Sequence, residues 1–111
     1  MTNLEPKVLI VDDDVDILEF VSLNLSKEGF KVYTASNGLE AIQRATDIAP
    51  DLIILDVMMP EMDGVEACIR LRKIPNLDDT VIVFLSARHE DYSQIAGLNA
   101  GADDYITKPI R

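Results

Sequence analysis

Tryptophan is absent from this 111-residue chain, aromatic residues make up only 5% of it, and there is one cysteine, Cys68. A lone cysteine excludes an internal disulfide, so packing alone must hold the fold, and a soluble, cytoplasmic protein is expected. Positive charge is also scarce. Ten Lys and Arg stand against twenty Asp and Glu, a net charge of −10 that repels a phosphate backbone and argues against nucleic-acid binding by this segment. No apolar run approaches the ~20 residues needed to span a membrane. The N-terminus, Met1-Thr2-Asn3-Leu4-Glu5-Pro6-Lys7, has no basic stretch leading into an apolar one, so neither a membrane segment nor a leader is expected. Repeats, linkers and low-complexity stretches are missing too, which at this length leaves one domain.

What is present is a regular alternation of short apolar runs with helical patterns, as in βαβ units. The runs predict strands over Lys7–Val11, Lys31–Ala35, Asp51–Leu55, Thr80–Leu85 and Asp104–Thr107. Between them, Ile17, Leu18, Val21 and Leu25 form one helical stripe, with Gly29 at the position just past its end. A second stripe runs through Leu39, Ile42 and Ala45, with Asn37 as N-cap and Pro50 beyond it. Val65, Cys68, Ile69 and Arg72 open a third helix after Asp63, and Tyr92 to Ala100 predict a fourth that ends at Gly101.

Handedness restricts the topology. The first and third runs are the most apolar and hence central, so right-handed crossovers give a parallel α/β sheet of order 2-1-3-4-5, a flavodoxin-like three-layer sandwich. The first helix then covers one face and the other three the opposite face. The apolar residues of strands 3 to 5 need a fifth helix on the first helix's side, and the expectation is that it follows Pro109 and that residues 1–111 are a fragment lacking it. A bare face of that kind would be covered by another copy of the chain or would promote aggregation.

Chemistry concentrates at the carboxyl ends of the strands, where such sheets bind ligands. Asp56 ends the third run, and Asp12-Asp13-Asp14 ends the neighbouring first run. Three crowded carboxylates repel one another unless a divalent cation neutralises them, and hard oxygen donors with room for water suit Mg2+. Capping of the first helix accounts for Asp14, but not for Asp12 and Asp13. A calcium loop starting at Asp12 fails, because its sixth and twelfth positions hold Ile17 and Leu23 in place of Gly and Glu. Ser86 and Lys108, at the ends of strands 4 and 5, bring a hydroxyl and an ammonium to the same crevice. Singly, each is an ordinary turn or surface residue. Together with Asp56 and a metal pocket they are the parts needed to receive and hold a phosphoryl group.

Val8-Leu9-Ile10-Val11-Asp12-Asp13-Asp14, the stretch Asp51 to Gly64, Leu85-Ser86-Ala87 and Gly101-Ala102-Asp103-Asp104-Tyr105-Ile106-Thr107-Lys108-Pro109 occur in that order. This pattern resembles the receiver domain of two-component response regulators over essentially the whole chain. The resemblance implies that Asp56 accepts a phosphoryl group from a phosphohistidine on a sensor histidine kinase or phosphotransfer protein. It further implies that Asp13, Asp56 and the backbone carbonyl of Met58 ligate Mg2+, with Asp12 acting through metal-bound water. Lys108 would neutralise the phosphoryl oxygens, Ser86 would be the switch hydroxyl, and Tyr105 the aromatic side chain that turns inward with it. Read from the residues alone, Tyr105 suits a surface-packed edge tyrosine equally well. Asp103-Asp104-Tyr105 resembles the branch that forms a homodimer through helix 4 and strand 5 and carries a DNA-binding output; the output itself is not among these residues.

An aspartyl-nucleophile hydrolase would need a second acid two residues after its nucleophile, where this chain has Met58. A receiver-like module that is never phosphorylated is disfavoured by the complete set of groups. Further expectations are slow self-hydrolysis of the phosphoryl group, with Met58 and Arg88 flanking the site; a cis Lys108–Pro109 peptide; and a mobile output surface in helix 4 and the polar segment before it, with His89 a solvated loop residue.

Overall fold

In the computed structural model, residues 5–86 and 99–107 are described. Five strands, β1 (Lys7–Val11), β2 (Lys31–Ala35), β3 (Leu52–Asp56), β4 (Val81–Ser86) and β5 (Asp104–Thr107), form one parallel sheet of order β2-β1-β3-β4-β5. Between them lie α1 (Val15–Lys27), α2 (Gly38–Ile48), α3 (Gly64–Leu71) and a 3-10 turn at Pro75–Leu77. The doubly wound α/β order is the one that handedness predicted. Nearly all of the expected fourth helix, the segment before it, and Lys108 with its peptide to Pro109 lie outside the described residues.

β3 and β4 sit one residue later than the apolar runs suggest. Asp51 and Thr80 spend their side chains on anchoring neighbours: Asp51 Oδ2 accepts from the Lys7 amide at 2.8 Å, and Thr80 Oγ1 donates to the Pro50 carbonyl at 2.7 Å. At the other end the ladder extends to pair Asp56 with Leu85 and Ser86 with Thr107. Both candidate site residues therefore stand on strands rather than in loops, on the least deformable part of the fold.

Local chemistry starts and stops the helices. Asp14, Asn37 and Asp63 each have extended backbone and accept an amide of the first turn, from Asp16, Glu40 and Glu66 at 2.8–2.9 Å. α1 ends in a Schellman motif, in which Gly29 at φ +97° donates to Ser26 and Phe30 donates to Leu25. Asp63→Ala is expected to lose about 1 kcal/mol of stability, the usual value of one N-cap. Urea denaturation at constant slope measures it, and an unchanged midpoint would contradict the capping role.

Core burial bears out Ala45 and Cys68 of the helical stripes and corrects Leu39 and Ile69. In α2 the buried positions are Gly38, Ala41 and Ala45, whereas Leu39 is 59% exposed; in α3 they include Ala67, Cys68 and Leu71, whereas Ile69 is 41% exposed. Small residues face inward where neighbouring segments approach closely: a Cβ on Gly38 would lie 2.8 Å from Sδ of Met62, in the loop before α3. Hydropathy singles out large side chains, and a close approach selects small ones.

The sheet's two faces carry separate cores. Leu9, Val11, Ile53, Leu55, Ile82 and Phe84 pack with α2 and α3, while Val8, Ile10, Ile54 and Leu85 lie on the side of α1 with Val21. On that second face Val81 and Ile106 are each 44% exposed.

Candidate functional site

The register of β1 on β3 pairs Val11 with Leu55, so the next residues, Asp12 and Asp56, emerge side by side at the carboxyl edge. The Asp12 amide donates to the Ala35 carbonyl at 3.1 Å, which carries this edge one step past the end of β2. Asp12 is fully buried and Asp56 is 2% exposed, while Asp13 is open to solvent. One carboxylate oxygen from each of the three lies within 4.8 Å of the others. At that spacing each like-charged pair repels by about 3 kcal/mol for an effective dielectric near 20. Asp12 Oδ1 also accepts from the Asp14 amide at 2.9 Å, closing the turn into α1. Asp14 itself is the N-cap, as its capping reading anticipated.

The loop after β3 folds back against this cluster. The Val57 amide donates to Leu85, and the Gly64 amide donates to Val57 at 2.8 Å. A Cβ on Gly64 would stand 2.1 Å from the Asp56 carbonyl oxygen and 2.9 Å from Val57 Cα, so only glycine fits where α3 begins. Glu61, within the loop, has φ +71°, a conformation that side chains seldom adopt without a reason in the surrounding structure. Met58 is 64% exposed at the mouth, whereas Met59 is buried beneath it. Sequence reading passed over Gly64 as a structural requirement; its signal was the sequence Pro60-Glu61-Met62-Asp63-Gly64, a loop with a glycine at the helix entry.

Ser86 is one residue past the Asp56–Leu85 pair on the adjoining strand. Its hydroxyl is buried, with no hydrogen-bond partner among the described residues. Tyr105 pairs with Phe84 across β4 and β5 and is 38% exposed, an outward position on the edge strand. Lys108 falls outside the described residues, so its approach to the crevice stays an expectation. Cys68 is no competing nucleophile, because burial pushes its thiol up to about 11 and keeps it protonated.

Two buried carboxylates beside an exposed one make an oxygen-only donor set with an open side. That set fits a hard divalent cation that keeps part of its hydration shell. It does not suit a softer metal, which would call for nitrogen or sulfur.

The family model described as the response regulator receiver domain matches residues 8–111. The alkaline phosphatase synthesis transcriptional regulatory protein PhoP of Bacillus subtilis is 43% identical over 107 residues, covering 96% of this chain and 44% of that protein. The transcriptional regulatory protein PrrA of Mycobacterium tuberculosis is 47% identical over 105 residues, with 95% and 44% coverage. The chain thus spans less than half the length of these relatives. Among solved structures, the chemotaxis protein CheY4 of Vibrio cholerae superposes with a TM-score of 0.92 at 34% identity, covering 97% of this chain and 90% of that one. The BeF3-activated DrrB receiver domain gives a TM-score of 0.85 at 33% identity, covering 97% and 88%.

Proposed function

The chain belongs to the response regulator receiver domain family, and from that premise we propose that Asp56 accepts a phosphoryl group from the phosphohistidine of a sensor histidine kinase or phosphotransfer protein. The observation that carries this reading is the clustering of Asp56 with Asp12 and Asp13 at the carboxyl edge of the sheet, two of the three buried. A carboxylate oxygen of Asp56 attacks phosphorus, the P–N bond breaks, its electron pair returns to the imidazole, and an acyl phosphate remains on Asp56. Asp13, Asp56 and the backbone carbonyl of Met58 would hold Mg2+, with Asp12 acting through water. Bound there, Mg2+ neutralises the carboxylates and lets an anionic donor approach.

The other residues hold and report the phosphoryl group. Lys108 supplies a point charge to its oxygens, and the Ser86 hydroxyl gains in it the partner that it lacks among the described residues. The movement of Ser86 frees space into which Tyr105 turns, so that β5 and helix 4 present a different surface to an output or to a second copy of the chain. The domain works in the cytoplasm as a signalling element that assists its own phosphotransfer. No helix among the described residues is long and apolar enough to cross a membrane.

Incubation with acetyl phosphate and Mg2+, read by intact mass, tests the proposal. One phosphoryl group should be added, and none when the cation is chelated. A chain that stays unlabelled at millimolar donor and Mg2+ would defeat the reading.

Hydrolysis of the acyl phosphate should be slow. Water needs a polar side chain to orient it, and the exposed Met58, two residues after Asp56, offers no useful hydrogen bond. Met58→Asn should speed release roughly fivefold, the rate equivalent of one net hydrogen bond of about 1 kcal/mol. A wild-type lifetime of seconds that the substitution leaves unaltered would contradict this account.

A further inference from the structure

β5 is poorly placed to choose its own register. It pairs on one side only, and Asp104, Tyr105 and Ile106 are all exposed, so burial of a face contributes little to the choice. At its amino end, by contrast, one side chain ties two stretches, residues 77–80 and 101–103, to the end of α3. Arg72, the C-cap of α3, donates from Nε to the Gly101 carbonyl at 2.8 Å, from Nη1 to the carbonyls of Leu77 at 3.2 Å and Thr80 at 2.8 Å, and from Nη2 to Asp103 Oδ2 at 2.8 Å. The same Asp103 oxygen accepts the Ile82 amide at 2.8 Å, and the Asp103 amide donates back to the Ile82 carbonyl at 2.8 Å. Gly101 completes the fit: its φ is +105°, and a Cβ there would lie 2.8 Å from Arg72 Cγ.

The geometry points to Arg72 as a positioning residue that fixes the register of β5 on β4 through Asp103, and thereby sets where the chain past Thr107 delivers Lys108. This rests on the phosphoryl-acceptor reading given above. The planar guanidinium reaches four acceptors at fixed angles, and an ammonium could not. A slip of one residue would reverse which face each β5 side chain occupies and, on that reading, carry Lys108 away from Asp56. The bonds are at the opposite end of the sheet from the carboxylate cluster, so Arg72 acts on the site only through the strand.

The test compares wild type with Arg72→Ala, Arg72→Lys and Asp103→Asn in three readouts: Mg2+ affinity, phosphorylation rate with acetyl phosphate, and amide exchange resolved by strand. Arg72→Ala should leave Mg2+ affinity unchanged, remove protection at Tyr105 and Ile106 while β1 and β3 keep theirs, and slow phosphorylation roughly 10- to 100-fold, the usual consequence of misplacing one group by about an ångström. Arg72→Lys should rescue little of it, and Asp103→Asn should fall between. Wild-type rate and wild-type β5 protection in Arg72→Ala would overturn the inference. So would a loss of Mg2+ affinity in step with the rate and with exchange across every strand, which marks general destabilisation. Should Arg72→Ala fail to fold, Asp103→Asn decides by the same criteria. A wild-type chain that takes no label would defeat the acceptor reading, while exchange at β5 would still judge the register.

Discussion

Asp56→Asn should abolish phosphoryl uptake from acetyl phosphate, leaving a chain that folds normally and shows no added mass. The amide is nearly isosteric with the carboxylate, so the 2%-exposed site keeps its packing while losing its nucleophilic oxygen. It also removes one of three negative charges lying within 4.8 Å of one another. Relief of that repulsion should make the variant as stable as wild type or more so in the absence of Mg2+, and should weaken its Mg2+ binding. The two effects point in opposite directions, so a loss of labelling cannot be put down to misfolding. Labelling at the wild-type rate would move the acceptor elsewhere, and a variant markedly less stable without metal would contradict the repulsion.

Gly64→Ala should be among the most damaging single-methyl additions this fold can receive. Its Cβ would fall 2.1 Å from the Asp56 carbonyl oxygen and 3.0 Å from that carbonyl carbon. Both neighbours are backbone on a central strand, with no flexible side-chain end that can give way. The cost should reach about 3 kcal/mol, the upper end of the range for overpacking. Because the displaced group belongs to Asp56, Mg2+ affinity and phosphorylation should fall along with stability. Gly29→Ala is an informative contrast: φ is +97° there, but nothing lies within 4 Å of the added methyl, so only backbone strain of about 1 kcal/mol is expected. Denaturation of the two variants side by side separates close approach from conformational strain, and equal losses would show that the contact at Gly64 is relieved by a small shift.

Much of this was legible in the chain because the signals are local or follow from handedness. The period-2 and period-3.6 patterns, the caps at Asp14, Asn37 and Asp63, and the Gly29 ending depend on residues within a few positions of one another. Strand order followed from crossover handedness applied to which runs were most apolar, and that order brings Asp12 and Asp13 beside Asp56. What hydropathy misassigned was part of the inward faces of α2 and α3, where Leu39 and Ile69 point outward and Ala41 and Ala67, which the stripes omitted, point in. The spacing between a helix and its neighbours decides whether a large or a small side chain fits, and that spacing is a property of the packed molecule.

The sequence by itself determined the five strands, the first three helices, the strand order and the acidic edge on which the chemistry depends, because secondary-structure periodicity and chain handedness need no knowledge of distant contacts. Only the tertiary structure decided that residue 64 must be glycine, that Arg72 ties residues 77–80 to residues 101–103, and that the Ser86 hydroxyl is buried. Each of these depends on ångström-scale distances between segments far apart in the chain, and steric exclusion and hydrogen-bond geometry act only once those segments have met.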